Sequence, residues 1–232
     1  METLPKGLHL EVPQDAFPLS TDSMVLADFV KLPRQASVLD LGSGCGTLGL
    51  LLCAKDDGCH ITGLEITESA HRGALRNIES NGLGCRMESL CGDLRQLPSL
   101  VSPGSFPICV SNPPYFAGGP ESRVLPQARR EDHCTAEDLM AAAAWALKFG
   151  GDFYLVHRPE RLAELIALGD RQNLRCKRLR LLRHREDGPI ALVLLQLRKG
   201  AKPGLIIEET SLRHPDGRCT ADYNRIYHIE EA

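Results

Sequence analysis

The chain has 232 residues, of which 43% are hydrophobic and 25% charged, enough for one large α/β domain, or one domain with an appendage. Such a chain buries ~70–75% of its unfolded surface and needs neither disulfide nor metal to hold it. Composition and a net charge of −3 exclude a long disordered chain or a uniformly basic one, and no apolar run approaches the ~20 residues of a membrane span.

The start, "METLPKGLHLEV", carries neither a positive leader nor an apolar signal core, so a cytoplasmic protein with no membrane and no metal partner is expected. Nine cysteines (45, 53, 59, 85, 91, 109, 134, 176 and 219) are scattered without a C-x-x-C pair and read as reduced thiols. Within residues 1–33, "FPLSTDSMVLADFVKLP" predicts a helix from Thr21 to Val30 that opens with Ser/Thr/Asp chemistry and stops before Pro33. "ASVLDLG" is a first buried strand running into glycines, and "TLGLLLCA" after it is helical. "CHITGLE" is a second strand, followed by a helix that Thr67 caps and Asn81-Gly82 ends. "CRMESLCGD" is a third strand and "FPICVSN" a fourth. Residues 117–134 form a long Gly-, Pro- and charge-rich loop, of a length that is usually functional or disordered. "TAEDLMAAAAWALKFGG" (Thr135 to Gly151) is an amphipathic helix leading into a fifth strand, "DFYLVH". After a helix opened by Pro159, "LRCKRLRLLRHR" and "PIALVLLQLRKG" make an antiparallel hairpin around Glu186 to Gly188.

This alternation predicts a Rossmann-like, three-layer α/β fold with a mostly parallel seven-stranded sheet closed by a C-terminal antiparallel hairpin. The domain proper spans 34–200. Residues 1–33 are an extension packing on the cofactor site, and 201–232 are a C-terminal extension packed on the same domain.

Candidate chemistry collects at the strand ends. Asp40 precedes a loop in which Gly42, Ser43, Gly44 and Gly46 permit tight turns and bring backbone N–H groups toward a ligand. Glu65, with Ile66 after it, ends the second strand, where a carboxylate can accept two ribose hydroxyls. Asp93, before Leu94, ends the third and can reach an adenine amine. Each acid alone can be a helix cap or a surface charge. The series of three resembles class I S-adenosylmethionine-dependent methyltransferases from about Ser37 to Lys199.

The fourth strand delivers "SNPPYF". Two prolines make the turn stiff and hold Asn112 extended. N-P-P-Y resembles the motif with which amino-methylating members of that superfamily handle an unreactive planar nitrogen. There the side-chain oxygen of Asn112 and the carbonyl of Pro113 accept the amine N–H groups, Pro114 stiffens the turn, and Tyr115 stacks on the ring. The motif leaves open adenine N6, a protein glutamine and another RNA base.

"FPLSTDSMVLADFV", "SNPPYF", "HRPERL" and "KPGLIIE" together resemble the bacterial tRNA(Val) adenine-37 N6-methyltransferases. The resemblance implies a tRNA substrate and S-adenosyl-L-methionine as cofactor; a monomer or weak homodimer is expected. Other residues keep two readings: Phe116 lines the base pocket or supports Tyr115 or fills core, and Arg123, Arg129 and Arg130 clamp phosphate or dress a solvated loop. His157 and Arg158 end the fifth strand near the expected mouth of the site, where a strand-end arginine also serves as an ion-pair partner. Thr21 and Asp22 either close the cofactor pocket or simply cap their helix. From Arg158 to Lys202, twelve Lys plus Arg face five Asp plus Glu, a balance of +7. This is a basic face for phosphates or an arginine-dressed solvated edge. A binding module that keeps the fold without catalysis is the contrasting class.

Overall fold

The computed structural model describes residues 1–13, 18–113 and 134–229. Pro114, Tyr115, Phe116, Arg123, Arg129 and Arg130 lie outside them. In chain order the elements are β1 (Glu2–Thr3), β2 (His9–Leu10), α1 (Thr21–Phe29), β3 (Ser37–Leu41), α2 (Thr47–Lys55), β4 (His60–Glu65), α3 (Glu68–Ser80), β5 (Met87–Cys91), α4 (Leu97–Leu100), β6 (Phe106–Ser111), α5 (Ala136–Ala146), β7 (Leu147–His157), α6 (Leu162–Arg171), β8 (Leu174–Arg185), β9 (Ile190–Lys199), β10 (Ile206–Arg213) and α7 (Ala221–Ile226).

β1 and β2 form a small antiparallel ribbon. The main sheet has the order β10-β8-β9-β7-β6-β3-β4-β5, and β9 alone runs against the other seven strands. The expected count of seven strands is corrected to eight among the described residues. Ile206–Arg213 pairs in parallel with β8 because Glu208 meets Arg178 at 2.9 Å and Arg180 at 3.1 Å, while Thr210 and Leu212 turn inward. No helix among the described residues is long and apolar enough to cross a membrane.

Strand side chains alternate between faces, and the two apolar clusters record that alternation. Val38, Ile61, Ile108, Val110, Tyr154, Val156 and Leu194 join the cluster that also holds Val25, Leu26 and Phe29 of α1 and Leu50 of α2. Leu39, Leu41, Leu64, Cys109, Phe153 and Leu155 join the opposite cluster, under Leu139 and Met140 of α5 and Leu165 of α6. Being covered on both faces is what makes these parallel strands nearly continuous hydrophobic runs.

Two helix ends depend on distant lysines. Lys55 donates to the carbonyls of Ala27, Asp28 and Val30 at 2.8, 2.8 and 2.6 Å, satisfying the C-terminus of α1, and burial lowers its pKa. Thr135 and Asp138 form the expected capping box of α5. That helix ends at Ala146 rather than near Gly151. Leu147 is already extended and paired with Phe106, Gly104 N–H takes the Trp145 carbonyl at 2.9 Å, and Lys199 takes those of Ala144 and Leu147.

Candidate active site

Register brings the strand-end residues to one level. Leu41 pairs with Leu64 and Glu65 with Cys91, while Asp40 pairs with Val110 and Ser111 with Leu155. One residue past these pairs, Gly42 and Asn112 stand on the same transverse row as Glu65. The two-residue period also puts Asp40, Glu65 and Asn112 on one face of the sheet, the face that α1, α2 and α3 cover. They form the floor of a crevice where the chain leaves β3 in one direction and β6 in the other, the position at which open α/β sheets bind ligands.

The glycine loop is closed by its own backbone. Gly42 and Ser43 N–H both donate to the Leu64 carbonyl, at 2.9 and 3.0 Å, and Gly46 N–H donates to the Ser43 carbonyl at 2.9 Å. Gly44 N–H donates to the Glu65 carboxylate at 2.9 Å, and Thr67 N–H donates to its other oxygen at 2.8 Å. These four loop donors are therefore not free for a ligand, contrary to the expectation from sequence. What the loop offers is shape. Gly42, Gly44 and Gly46 all have positive φ (76°, 56° and 86°), and a Cβ on Gly42 or Gly44 would meet nothing within 4 Å, an open cradle that side chains would fill. On the other side a Cβ at Gly46 would lie 2.8 Å from Met87 Cε, so the loop is packed tightly from beneath. Ser43 is buried, its Oγ turned against Gly63.

Asn77 of α3, buried at 1% exposure, donates to the carbonyls of Cys45 and Glu11 and accepts from Glu11 N–H, tying the loop to the N-terminal segment. An asparagine in the middle of a polar helix stretch, "RNIES", carries no sequence signal for this role.

Asp40 is 1% exposed, and its Oδ2 has no hydrogen-bond partner among the described residues. Burial, reinforced by the charge of Glu65, pushes its pKa up to about 7. A buried acid with spare acceptor capacity, beneath an open glycine cradle, suits a ligand that is cationic and polyhydroxylated. Glu65 retains lone pairs beyond the two it has committed, enough for ribose hydroxyls. Ile66, beside it, leaves 46% of its surface uncovered, an apolar patch at the mouth on which a flat ring can rest. These residues fit S-adenosylmethionine.

Asn112 donates through Nδ2 to Ser23 Oγ of α1 at 3.0 Å, and Pro113 is buried behind it. Asp93 reaches the same strand edge, but its carboxylate caps the turn at Leu94 by accepting from Arg95 N–H at 2.9 Å and forms a two-oxygen ion pair with the Arg95 guanidinium. That is the work of a helix cap, so Asp93 is less open to an adenine amine than expected. Thr67 precedes α3 without a side-chain cap bond.

His157 is a correction. It is 1% exposed, its Nδ1 accepts from Arg158 N–H at 2.8 Å, and burial with nearby Arg161 lowers its pKa to about 4. Strand parity places it with Phe153 and Leu155 on the face opposite Asp40 and Asn112, so it supports β7 rather than meeting substrate. Arg158, one residue on, is exposed, and its charge acts on Asp22, the first-turn acid of α1, whose pKa burial raises.

The basic segment is largely spent inside the protein. Arg178 and Arg180 lie over the Phe29 ring at 4.1 and 4.9 Å and pair with Glu208 and Asp28, while Arg198 pairs with Asp152 and Arg175 with Asp170. Arg178 and Arg180 also line a 760 Å³ cavity with Lys55, Asp28, Glu208 and Arg225, at the C-terminal end of α2 and so away from the glycine loop at its start.

Sheet order, the glycine cradle between a buried acid and a strand-end glutamate, and Asn112-Pro113 on the neighbouring strand define a class: the class I, S-adenosylmethionine-dependent methyltransferases. Residues 19–168 match the model of the methyltransferase small domain, and the chain belongs to that family. The tRNA1(Val) (adenine(37)-N6)-methyltransferase of Photobacterium profundum is 24% identical over 222 residues, 94% of this chain and 92% of the relative. The protein of that name from Shewanella halifaxensis is 29% identical over 177 residues, 75% and 72% of the two chains. Among solved structures, one described as a "predicted O-methyltransferase" from Agrobacterium tumefaciens superposes with a TM-score of 0.75 at 21% identity, covering 90% of this chain and 96% of that one. Geranyl diphosphate C-methyltransferase from Streptomyces coelicolor, crystallised with S-adenosyl-L-homocysteine, gives 0.58 at 12% identity over 76% and 79%. At these identities the structural likeness is one of fold.

Proposed function

We propose that the protein is a tRNA N6-adenine methyltransferase acting on adenine 37 of tRNA(Val). The observation that carries this reading is the placement of Asn112 at the end of β6, on the row and face of the sheet that Glu65 and the glycine loop occupy. A relative named for that activity, matched over 94% of this chain, supports the choice of base and of RNA.

The difficulty of the reaction lies in the exocyclic amine, which donates its lone pair into the purine ring. S-adenosylmethionine, when bound, supplies a strongly electrophilic methyl group. The chain's part is geometric. The Asn112 side-chain oxygen and the Pro113 carbonyl accept one N–H each, which rotates the developing lone pair out of the ring plane toward the glycine cradle. The ionised form of Asp40, the acid whose pKa burial otherwise raises to about 7, is favoured by a cationic donor bound in the cradle. Tyr115 then stacks on the base, which is presented already unstacked in an RNA loop, where extrusion costs least. Arg129, Arg130 and exposed Arg158 are assigned to phosphate, Phe116 to the base pocket.

The test is methyl transfer from labelled S-adenosylmethionine to unmodified tRNA(Val), followed by nucleoside digestion. N6-methyladenosine at position 37 is expected. Labelling of a protein glutamine instead, or of no RNA despite tight cofactor binding, defeats the proposal.

A further inference from the structure

We infer that Ser23 of α1 is a positioning residue for methyl transfer, setting which way round the Asn112 amide faces. The inference rests on the reading of Asn112 as the residue that holds the target amine.

A primary amide has a donor end and an acceptor end, and a half-turn about its last torsion exchanges them. An amine substrate presents N–H donors, so only one orientation of Asn112 is productive; the other sets donor against donor. The backbone, stiffened by Pro113, fixes where the amide sits but not which end points at the substrate. Ser23 supplies that choice. Asn112 Nδ2 donates to Ser23 Oγ at 3.0 Å, which leaves the Asn112 oxygen for the substrate.

A serine hydroxyl can also donate, so its direction must be set in turn. Ser20, the N-cap of α1, lies with its Oγ 3.4 Å from Ser23 Oγ and accepts from Ser23 N–H at 3.3 Å. With the Ser23 hydroxyl proton directed to Ser20, the Ser23 lone pairs face Asn112. The result is a short chain, Asn112 to Ser23 to Ser20, in which Ser23, 6% exposed, accepts from the amide while its own hydroxyl lies within reach of the helix cap.

The carrier is held at both ends. Thr21 Oγ1 is joined by Tyr227 Oη at 3.0 Å, and Asp28 is paired with Arg180 at 2.6 Å and Arg225 at 3.1 Å. α1 therefore offers Ser23 from a fixed position, and the amide has little freedom to carry its partner along.

The experiment compares Ser23→Ala and Ser23→Thr in the full chain. The side-chain NH2 signals of Asn112, assigned by their loss in Asn112→Ala, are followed by ¹⁵N NMR without substrate, and kcat and KM are then measured on the methylated amine. Ser23→Ala is expected to speed solvent exchange of the bonded Asn112 proton and to lower kcat roughly tenfold to a hundredfold. KM for S-adenosylmethionine should stay within about twofold, because a displaced amide oxygen affects the transition state more than binding of the donor. Ser23→Thr, which keeps the hydroxyl, should recover most of both effects. Unchanged Asn112 signals in Ser23→Ala, or a kcat equal to that of wild type, would overturn the inference. If wild type methylates no adenine, the proposed function fails while the NMR arm still reports on the Ser23 contact.

Discussion

Asp40→Asn separates the electrostatics of the floor from everything above it. The Asp40 carboxyl titrates at about 7 in the fold, because it is buried and faces the charge of Glu65, against ~3.9 when unfolded. A raised acid favours the folded state while protonated. That contribution is complete below pH ~4 and is lost as pH climbs through 7. The displacement of about three units corresponds to ~4 kcal/mol in all, and the part falling between pH 5 and 7 to ~2–3 kcal/mol.

His157 acts in the opposite sense. Its pKa is lowered to about 4, so the fold prefers it neutral, and stability falls as pH drops from ~6.5 toward 4. The two groups nearly cancel over part of the range, and a wild-type profile alone conceals both. The readout is the difference between wild-type and Asp40→Asn melting temperatures from pH 5 to 8 without cofactor. At ~2–4 °C per kcal/mol for a chain of this size, wild type should lose about 5–10 °C relative to Asp40→Asn across pH 5 to 7, and the gap should then level off. The buried amide adds a constant cost that shifts one curve without tilting it. Parallel curves from pH 5 to 8 would refute the argument and mean that Asp40 is ionised throughout.

Three further outcomes follow from the same geometry. Asn112→Ala should reduce methyl transfer by roughly 10²- to 10³-fold while cofactor affinity by calorimetry stays within twofold, since the side chain is assigned to the amine. Gly44→Ala places a methyl group in the open cradle at a φ of 56°; it should lower stability by ~1 kcal/mol and weaken S-adenosylmethionine binding by more than that, measured by denaturation and by titration. Arg180→Met strips Asp28 and Glu208 of a partner that is 11% exposed, so chemical denaturation should show a loss of about 3 kcal/mol, while the salt dependence of tRNA binding keeps its slope.

Strand periodicity and strand-end chemistry were the readable part of this chain. The runs from Ser37, His60, Phe106, Leu174 and Ile190 are legible as strands, and the helices between the first of them indicate parallel pairing. Asp40, Glu65 and Asn112 could be placed on one edge because each ends such a run. What failed was anything that depends on a partner far away in sequence. The end of α5 is set by Lys199 and Gly104, not by the local Gly150-Gly151. "GLIIEETSLR" looked like a tail because its acids find Arg178 and Arg180 only once β8 exists. The charge excess of the last third left open a phosphate-binding face or a solvated edge, whereas much of it meets carboxylates and carbonyls of the protein. His157 was misjudged for a simpler reason: one residue of parity decides which face a strand-end side chain joins.

The clamp on α1 also has a consequence for the order in which the protein becomes competent. Thr21 is tied to Tyr227, and Asp28 to Arg180 and to Arg225; Tyr227 and Arg225 lie about 200 positions later in the chain. At ~5–20 residues per second, synthesis of that stretch takes tens of seconds. The strands from β3 to β7 are made well before those anchors, and β10 shortly before them, so the helix bearing Ser23 lacks its final anchors until the end of synthesis. That helix is thus among the last parts of the molecule to be secured, and a chain that stops before residue 225 would lack its Arg225 and Tyr227 anchors.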